Sequence, residues 1–120
     1  MYWEAHVDLT LNTARVQERA VLEVGGEVDM YSSPTLRERI AELLDNGESV
    51  LIVDLSGTSF LDSTGLGALV AGLNHAKQVG GEMPIVCSSD RILKLFRITG
   101  LDGVFTIYPS VDDAVAAQPA

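Results

Sequence analysis

Apolar positions along this chain switch repeatedly between two periods. Val7, Leu9 and Leu11 fall at alternate positions between His6 and Thr13, which predicts a strand with one buried face. A second strand is predicted from Gln17 to Val24, with Asn12 to Arg15 as the turn between them. Gly25-Gly26 predicts a break or bulge, after which Glu27 to Met30 continues the strand. Ser33-Pro34 reads as N-cap and first helical position. Leu36, Ile40, Leu43 and Leu44 then recur at helical spacing until Asn46-Gly47 ends the helix. Val50 to Leu55 is a short apolar run, the pattern of a central strand covered on both faces.

A longer helix is predicted from Ser63 to Val79, with Leu66, Leu69, Val70, Leu73 and Ala76 on its buried stripe and Gly80-Gly81 as its stop. Pro84 to Cys87 reads as a strand, and Ser89 or Asp90 caps a third helix carrying Ile92, Leu95 and Phe96, which Gly100 ends. Val104 to Ile107 reads as a last strand and Val111 to Ala117 as a terminal helix. Strands alternating with helices predict an α/β domain, and the opening strand pair makes its sheet mixed, with about five strands and four helices. The 120 residues are expected to form one domain, with a frayed tail at 118–120.

Composition narrows the function. Apolar residues make up 47% of the chain, enough for a packed core. Seventeen acidic residues against eight basic ones give a net charge of -9. That argues against nucleic acid and against anionic membrane surfaces, and favours a basic protein partner. Cys87 is the only cysteine, so no internal disulfide forms; it reads as a small buried hydrophobe. The first residues lack the pattern of a signal peptide, and no apolar run reaches membrane-spanning length, so a cytoplasmic location is expected. His6 and His75 have no partner at metal-ligand spacing, and Tyr2 and Trp3 read as packing residues.

Candidate chemistry concentrates in residues 53–67, Val-Asp-Leu-Ser-Gly-Thr-Ser-Phe-Leu-Asp-Ser-Thr-Gly-Leu-Gly. An apolar strand runs into a polar turn, and Asp62-Ser63-Thr64-Gly65 leads straight into the long helix. Hydroxyls therefore sit where the N–H groups of a new helix lack partners. Gly65 and Gly67 each cost about 1 kcal/mol relative to alanine in a first helical turn. Two such breaks of a local rule beside hydroxyls suggest close approach of a partner, so alanine at either glycine is expected to leave the fold intact or stabilise it. Spacing alone reads Ser63 as an N-cap or first-turn serine, and Asp54 and Asp62 as turn-making residues. Ser32, Ser33 and Thr35 read as capping hydroxyls.

Enzyme signatures are missing. No P-loop is present, Val70 stands where a dinucleotide fingerprint needs glycine, and no Gly-x-Ser-x-Gly elbow surrounds Ser63.

These landmarks resemble the anti-sigma factor antagonists of the STAS-domain family. The resemblance rests on Gly26-Glu27-Val28-Asp29 with Tyr31-Ser32-Ser33-Pro34 and Leu36-Arg37, on Asp54-Leu55-Ser56 through Phe60-Leu61-Asp62-Ser63-Thr64-Gly65-Leu66-Gly67, and on Gly80-Gly81, Ile92 to Phe96 and Ile98 to Leu101, in that order. It implies a protein that binds an anti-sigma factor, itself a serine kinase, and so releases a sigma factor. It implies that Ser63 is the phosphoacceptor, with Thr64 as the neighbouring alternative. Asp54 and Asp62 would shape the site and touch the kinase, and Asp29 would contribute to partner contact from the same face. The chain itself would need no cofactor: ATP and magnesium would belong to the kinase, and a serine phosphatase would reverse the modification. The free chain is expected to be monomeric and without enzymatic activity. Alternatives are a STAS scaffold or transporter-associated module without a sigma role, a receiver domain phosphorylated on Asp54, and a small hydrolase using Ser63.

Overall fold

The run Leu51-Ile52-Val53 is buried on both faces and sets the middle of the sheet. In the computed structural model, which describes residues 8–119, these residues open the strand β3 (Leu51–Leu61). β3 pairs in parallel with β2 (Arg19–Val28) on one side and with β4 (Ile85–Val86) on the other. β1 (Leu9–Val16) pairs antiparallel with β2 at one edge, and β5 (Ile107–Tyr108) closes the other edge in parallel with β4. The sheet order is β1-β2-β3-β4-β5. Among the described residues three α-helices join strands: α1 (Ser33–Asp45) between β2 and β3, α2 (Ser63–Gln78) between β3 and β4, and α3 (Asp90–Ile98) between β4 and β5. α4 (Val111–Ala116) follows β5. The expected mixed α/β sheet is therefore observed.

Side-chain alternation along the strands divides the core in two. Leu22 and Val24 of β2, Leu51, Val53 and Leu55 of β3, and Ile85 of β4 meet α1, α2 and α3 on one face. The intervening residues Val21, Ile52 and Val86 meet Ala114 and Val115 of α4 on the other. α2 comes close to α1 because residue 72 is glycine. A Cβ there would lie 2.9 Å from Ile40 Cγ2 and 3.0 Å from Met83 Sδ. α3 is anchored by Phe96, whose ring meets that of Phe105 edge-on, with centroids 5.6 Å apart.

The structure departs from the sequence reading at several boundaries. The first hairpin turns at Gln17-Glu18, and Asn12 to Arg15 lie within β1. Gln17 and Glu18 have φ of +50° and +68°, the two successive left-handed residues of a primed hairpin turn. No glycine or asparagine announces it. Arg15 supports the turn by donating to the Glu18 carbonyl at 2.8 Å and pairing with Glu48. The expected strand start at His6 and Val7, and the packing of Tyr2 and Trp3, lie outside the described residues.

Gly25 and Gly26 neither break β2 nor add a residue to it: β2 keeps a regular register with β1 through both and runs on to Val28. The extra residues lie in β3, where Asp54 to Gly57 stands against Glu23 to Gly25 and Thr58 to Phe60 against Gly26 to Glu27. β3 continues with it, through Ser56-Gly57-Thr58-Ser59, where the sequence reads as a turn. The buried Thr58 hydroxyl donates to the Val24 carbonyl at 2.8 Å, which satisfies a polar side chain inside this ribbon. The last strand begins at Ile107, because Leu101–Gly103 form a single 3-10 turn and Val104 is exposed beyond it. The tail is tied at its start: the Gln118 N–H donates to the Val115 carbonyl, its side-chain amide donates to the Ala114 carbonyl, and Arg19 donates to the Pro119 carbonyl. Ala120 lies outside the described residues.

Phe96 is fully buried and joins α3 to the main core. Phe96→Ala is expected to cost about 3–5 kcal/mol, from lost burial plus the cavity left behind. Urea titration followed by circular dichroism measures it; a loss below about 1 kcal/mol would show that α3 is held by other contacts.

Candidate functional site at the head of the second helix

β2 and β3 run parallel, so the turns that follow them leave the sheet at the same end. Val28 stands beside Leu61 in the ladder. Asp29 follows the first and Asp62 the second, so the fold brings these two aspartates to neighbouring turns.

Asp62 is the N-cap of α2. Its Oδ1 accepts the Gly65 N–H at 3.0 Å and the Thr64 hydroxyl at 2.5 Å. The cap therefore falls on Asp62, and Ser63 is the first helical residue. Asp62 also donates its own N–H to the Val28 carbonyl at 3.2 Å, which fixes the helix start to the end of β2. Ser63 and Thr64 are both exposed. The two hydroxyls differ in their engagement. Thr64 is held by Asp62, whereas the Ser63 hydroxyl makes no hydrogen bond to any described residue. The N–H groups of Ser63 and Thr64 have no intrahelical carbonyl to donate to, as at any helix start. An anion on Ser63 would thus meet unpaired donors and the positive end of the α2 dipole on one side. On the other it would meet the Asp62 carboxylate.

Asp29 builds the entry to α1. Its Oδ1 accepts the N–H groups of Tyr31 and Ser32, both at 2.9 Å. Ser32 occupies the position before α1, but its hydroxyl does not cap the helix. It donates to the Glu27 carbonyl at 2.8 Å and accepts the Asp29 N–H at 3.0 Å. Ser33, expected as the N-cap, is the first residue of the helix.

Asp54 is placed elsewhere. It lies inside β3, paired with Glu23 on one side and Val86 on the other, and its Oδ1 accepts the Ser56 N–H at 2.9 Å. Seven strand residues, Leu55 to Leu61, separate it from Asp62; they run beside the five steps from Glu23 to Val28, so the two aspartates lie roughly 20 Å apart at about 3.3 Å per step. Asp54 shapes the strand at its bend and does not converge with Ser63.

The two glycines, read alike from sequence, differ. Gly65 is buried, and a Cβ on it would lie 2.5 Å from Leu61 Cδ1, 2.8 Å from the Val28 carbonyl oxygen and 2.9 Å from Val28 Cγ1. It is glycine because the first turn of α2 rests directly on the end of the β2–β3 ladder. Gly67 is exposed, with open space where a Cβ would stand.

Three exposed apolar residues near this end were not singled out by the sequence reading. Met30 and Tyr31 are each 62% exposed, and Phe60 is 43% exposed. Their positions beside Asp29 and Asp62 were the available signal: Met30 and Tyr31 lie in the turn after β2, and Phe60 lies at the end of β3 with its side chain exposed. Cys87 is buried, and burial pushes its thiol up, away from the reactive thiolate. His75 pairs with Asp45 at 2.7 Å, a dozen residues along α2 from Ser63, or roughly 18 Å at 1.5 Å per residue. It is too far away to act as a base on that hydroxyl. Among the described residues, no cluster of side chains suits a metal ion, and no helix is long and apolar enough to cross a membrane.

This geometry separates the glycines experimentally. Gly65→Ala is expected to destabilise the fold by about 1–3 kcal/mol, because the methyl meets backbone and the first side-chain atoms of Val28. Gly67→Ala is expected to stabilise it by up to about 1 kcal/mol. Urea midpoints of the two variants decide; equal shifts would contradict the different roles.

Residues 11–114 match the family profile described as the STAS domain. The chain is 36% identical to the anti-sigma-B factor antagonist of Bacillus subtilis, over 85% of this chain and 89% of that one. It is 38% identical to the anti-sigma-B factor antagonist of Staphylococcus aureus, over 79% and 88%. Its fold is similar to the crystal structure of an anti-sigma factor antagonist from Mycobacterium paratuberculosis, with a TM-score of 0.83, 31% identity, and coverage of 91% and 92%. A receiver domain of the flavodoxin-like order 2-1-3-4-5 would place its first strand inside a parallel sheet, whereas here β1 is an antiparallel edge. By sequence and by shape, the chain belongs to the STAS-domain family.

Proposed function

We propose that this chain is an anti-sigma factor antagonist switched by phosphorylation of Ser63. In its unmodified form it binds an anti-sigma factor that is also a serine kinase, and so frees a sigma factor. The kinase, using its own ATP and magnesium, phosphorylates Ser63 and weakens the complex. A serine phosphatase restores it. The chain works in the cytoplasm as a binding protein and kinase substrate, without catalysis of its own. Its relatives named anti-sigma-B factor antagonists support this reading.

One observation carries the choice of acceptor. Ser63 presents an exposed hydroxyl with no intramolecular hydrogen bond, while the adjacent Thr64 hydroxyl is held by Asp62 at 2.5 Å. Transfer to Thr64 would first have to break that bond. Asp29, Asp62 and Gly67 are proposed to frame the partner contact. Gly65 sets the position of the helix, and Asp54 acts from a distance through the shape of β3.

The switch follows from charge. A phosphate adds about -1.5 to -2 charges at neutral pH. In the free domain it remains in water, with the α2 N-terminus partly stabilising it, so the fold survives. In a closed interface it would lose water beside the Asp62 carboxylate, and burying a poorly paired charge costs several kcal/mol.

Partners captured by affinity from cell extract, and identified by mass spectrometry, supply the kinase for the test. Incubation with it and ATP is expected to add one phosphate, on Ser63. Phosphate mainly on Thr64 or Ser33, or persisting in Ser63→Ala, would refute the assignment. Ser63→Asp is expected to bind the kinase at least about tenfold more weakly, a loss of about 1.4 kcal/mol, with amide-exchange protection of the core unchanged. Ser63→Ala is expected to bind normally and resist inactivation. Tight binding by the phosphorylated form would sink the repulsion mechanism.

A further inference from the structure

The end of β3 and the helix α3 enclose a groove of about 240 Å³ that the Ser63 site does not use. Its floor is apolar: Phe60 and Leu61 from β3, and Leu95 and Ile98 from α3. Ile98 is 71% exposed, more than any other large apolar residue described. Phe96 turns into the core, which fixes the rotation of α3 and leaves the face carrying Arg91, Leu95 and Ile98 toward the groove. The walls are basic. Arg91 and Lys94 line the groove, and neither forms an ion pair with a described residue. Arg91 is held only by a long hydrogen bond to the Ser59 carbonyl, 3.4 Å. In a chain with eight basic residues against seventeen acidic ones, three of the eight fall on the nine residues of α3.

We propose that this groove is a docking site for a short amphipathic segment of a partner protein, with apolar anchors flanked by carboxylates. Its volume is below the range of about 300–1,000 Å³ usual for small-molecule pockets, and it suits one or two anchoring side chains. Apolar anchors at helical spacing would fill the space between Phe60 and Ile98. Carboxylates on either side would meet Arg91 and Lys94. Charges further than about 8 Å are screened at physiological salt, so these two local cations outweigh the net charge of -9 for a segment seated here. A lipid surface is a poor occupant, because two cations on an acidic domain give little attraction to anionic headgroups. Leu61 directly precedes Asp62, so a segment in the groove would lie beside Ser63. The inference nonetheless stands apart from phosphorylation, and its test needs no kinase.

The probe is a synthetic helical peptide with leucines at i, i+4 and i+7 and glutamates on the flanking positions, titrated into the whole chain and followed by backbone amide NMR. Saturable shifts are expected at Phe60, Arg91, Leu95 and Ile98. The double reversal Arg91→Glu with Lys94→Glu, and separately Ile98→Ser, are each expected to weaken binding at least about tenfold, or about 1.4 kcal/mol. All three positions are exposed, and Lys77→Glu on α2, outside the groove, serves as a single-reversal control that is expected to leave binding unchanged. The same peptide with lysines in place of glutamates is expected not to bind. Shifts away from the groove, equal binding of the lysine peptide, or unchanged affinity after the double reversal would overturn the proposal. So would a dimer in sedimentation that Ile98→Ser dissolves, since the groove would then belong to a second copy of this chain.

Discussion

Val28 is where the strand ribbon, the long helix and the site meet. Its carbonyl accepts the Asp62 N–H and so ends the β2–β3 ladder at a defined point. The same carbonyl lies where a Cβ on residue 65 would have to go. The first turn of α2 can rest there only because residue 65 has no side chain. Asp62, bound to Val28 through its backbone, then caps the helix through its carboxylate. Backbone and side chain of one residue thus fix both the position and the direction of α2. Ser63, next in the chain, points its hydroxyl to solvent as a consequence.

That arrangement links a packing constraint to a chemical selection. Asp62 engages the Thr64 hydroxyl and leaves the Ser63 hydroxyl free. The glycine that sets the height of the helix over the ladder lies in the same turn as both hydroxyls, next to the one that Asp62 engages. Asp29 does the same work for the neighbouring turn. It organises the entry to α1 through Tyr31 and Ser32, and the parallel pairing of β2 with β3 brings that turn alongside.

The helices and the buried central run were legible in the sequence because each depends on local periodicity. Leu36, Ile40 and Leu44 repeat at helical spacing whatever surrounds them, and Leu51-Ile52-Val53 has no polar position for solvent. The errors fell where pairing overrides local preference. Ser56 to Ser59 look like a turn, yet they extend β3, because β3 takes up its extra residues as bulges against a regular β2 and Val24 accepts from Thr58. Gln17 and Glu18 form a left-handed turn that their types do not announce; the flanking strands and Arg15 hold it. Asp54 looked close to Asp62 because a turn was read between them, and the strand carries it away. Gly65 and Gly67 were indistinguishable in the sequence. The difference between them is what stands opposite, and Val28 is more than thirty residues earlier in the chain.

The same end of the sheet carries two surfaces of opposite character. Around Ser63 the fixed charges are the carboxylates of Asp62 and Asp29, and the favourable groups for an anion are N–H dipoles. Along α3 the charges are Arg91 and Lys94, above an apolar floor. Leu61 touches both surfaces: its side chain packs against Gly65 and also lines the groove. A change that lifted the first turn of α2 would therefore shift Leu61 and reshape the groove. Added charge on the exposed Ser63 hydroxyl has no such lever, because that hydroxyl makes no hydrogen bond to Val28, Leu61 or any other described residue. Electrostatic change at Ser63 and mechanical change at Gly65 thus act on neighbouring surfaces by separate routes. The first alters what an approaching partner meets; the second alters the shape of the platform on which it would rest.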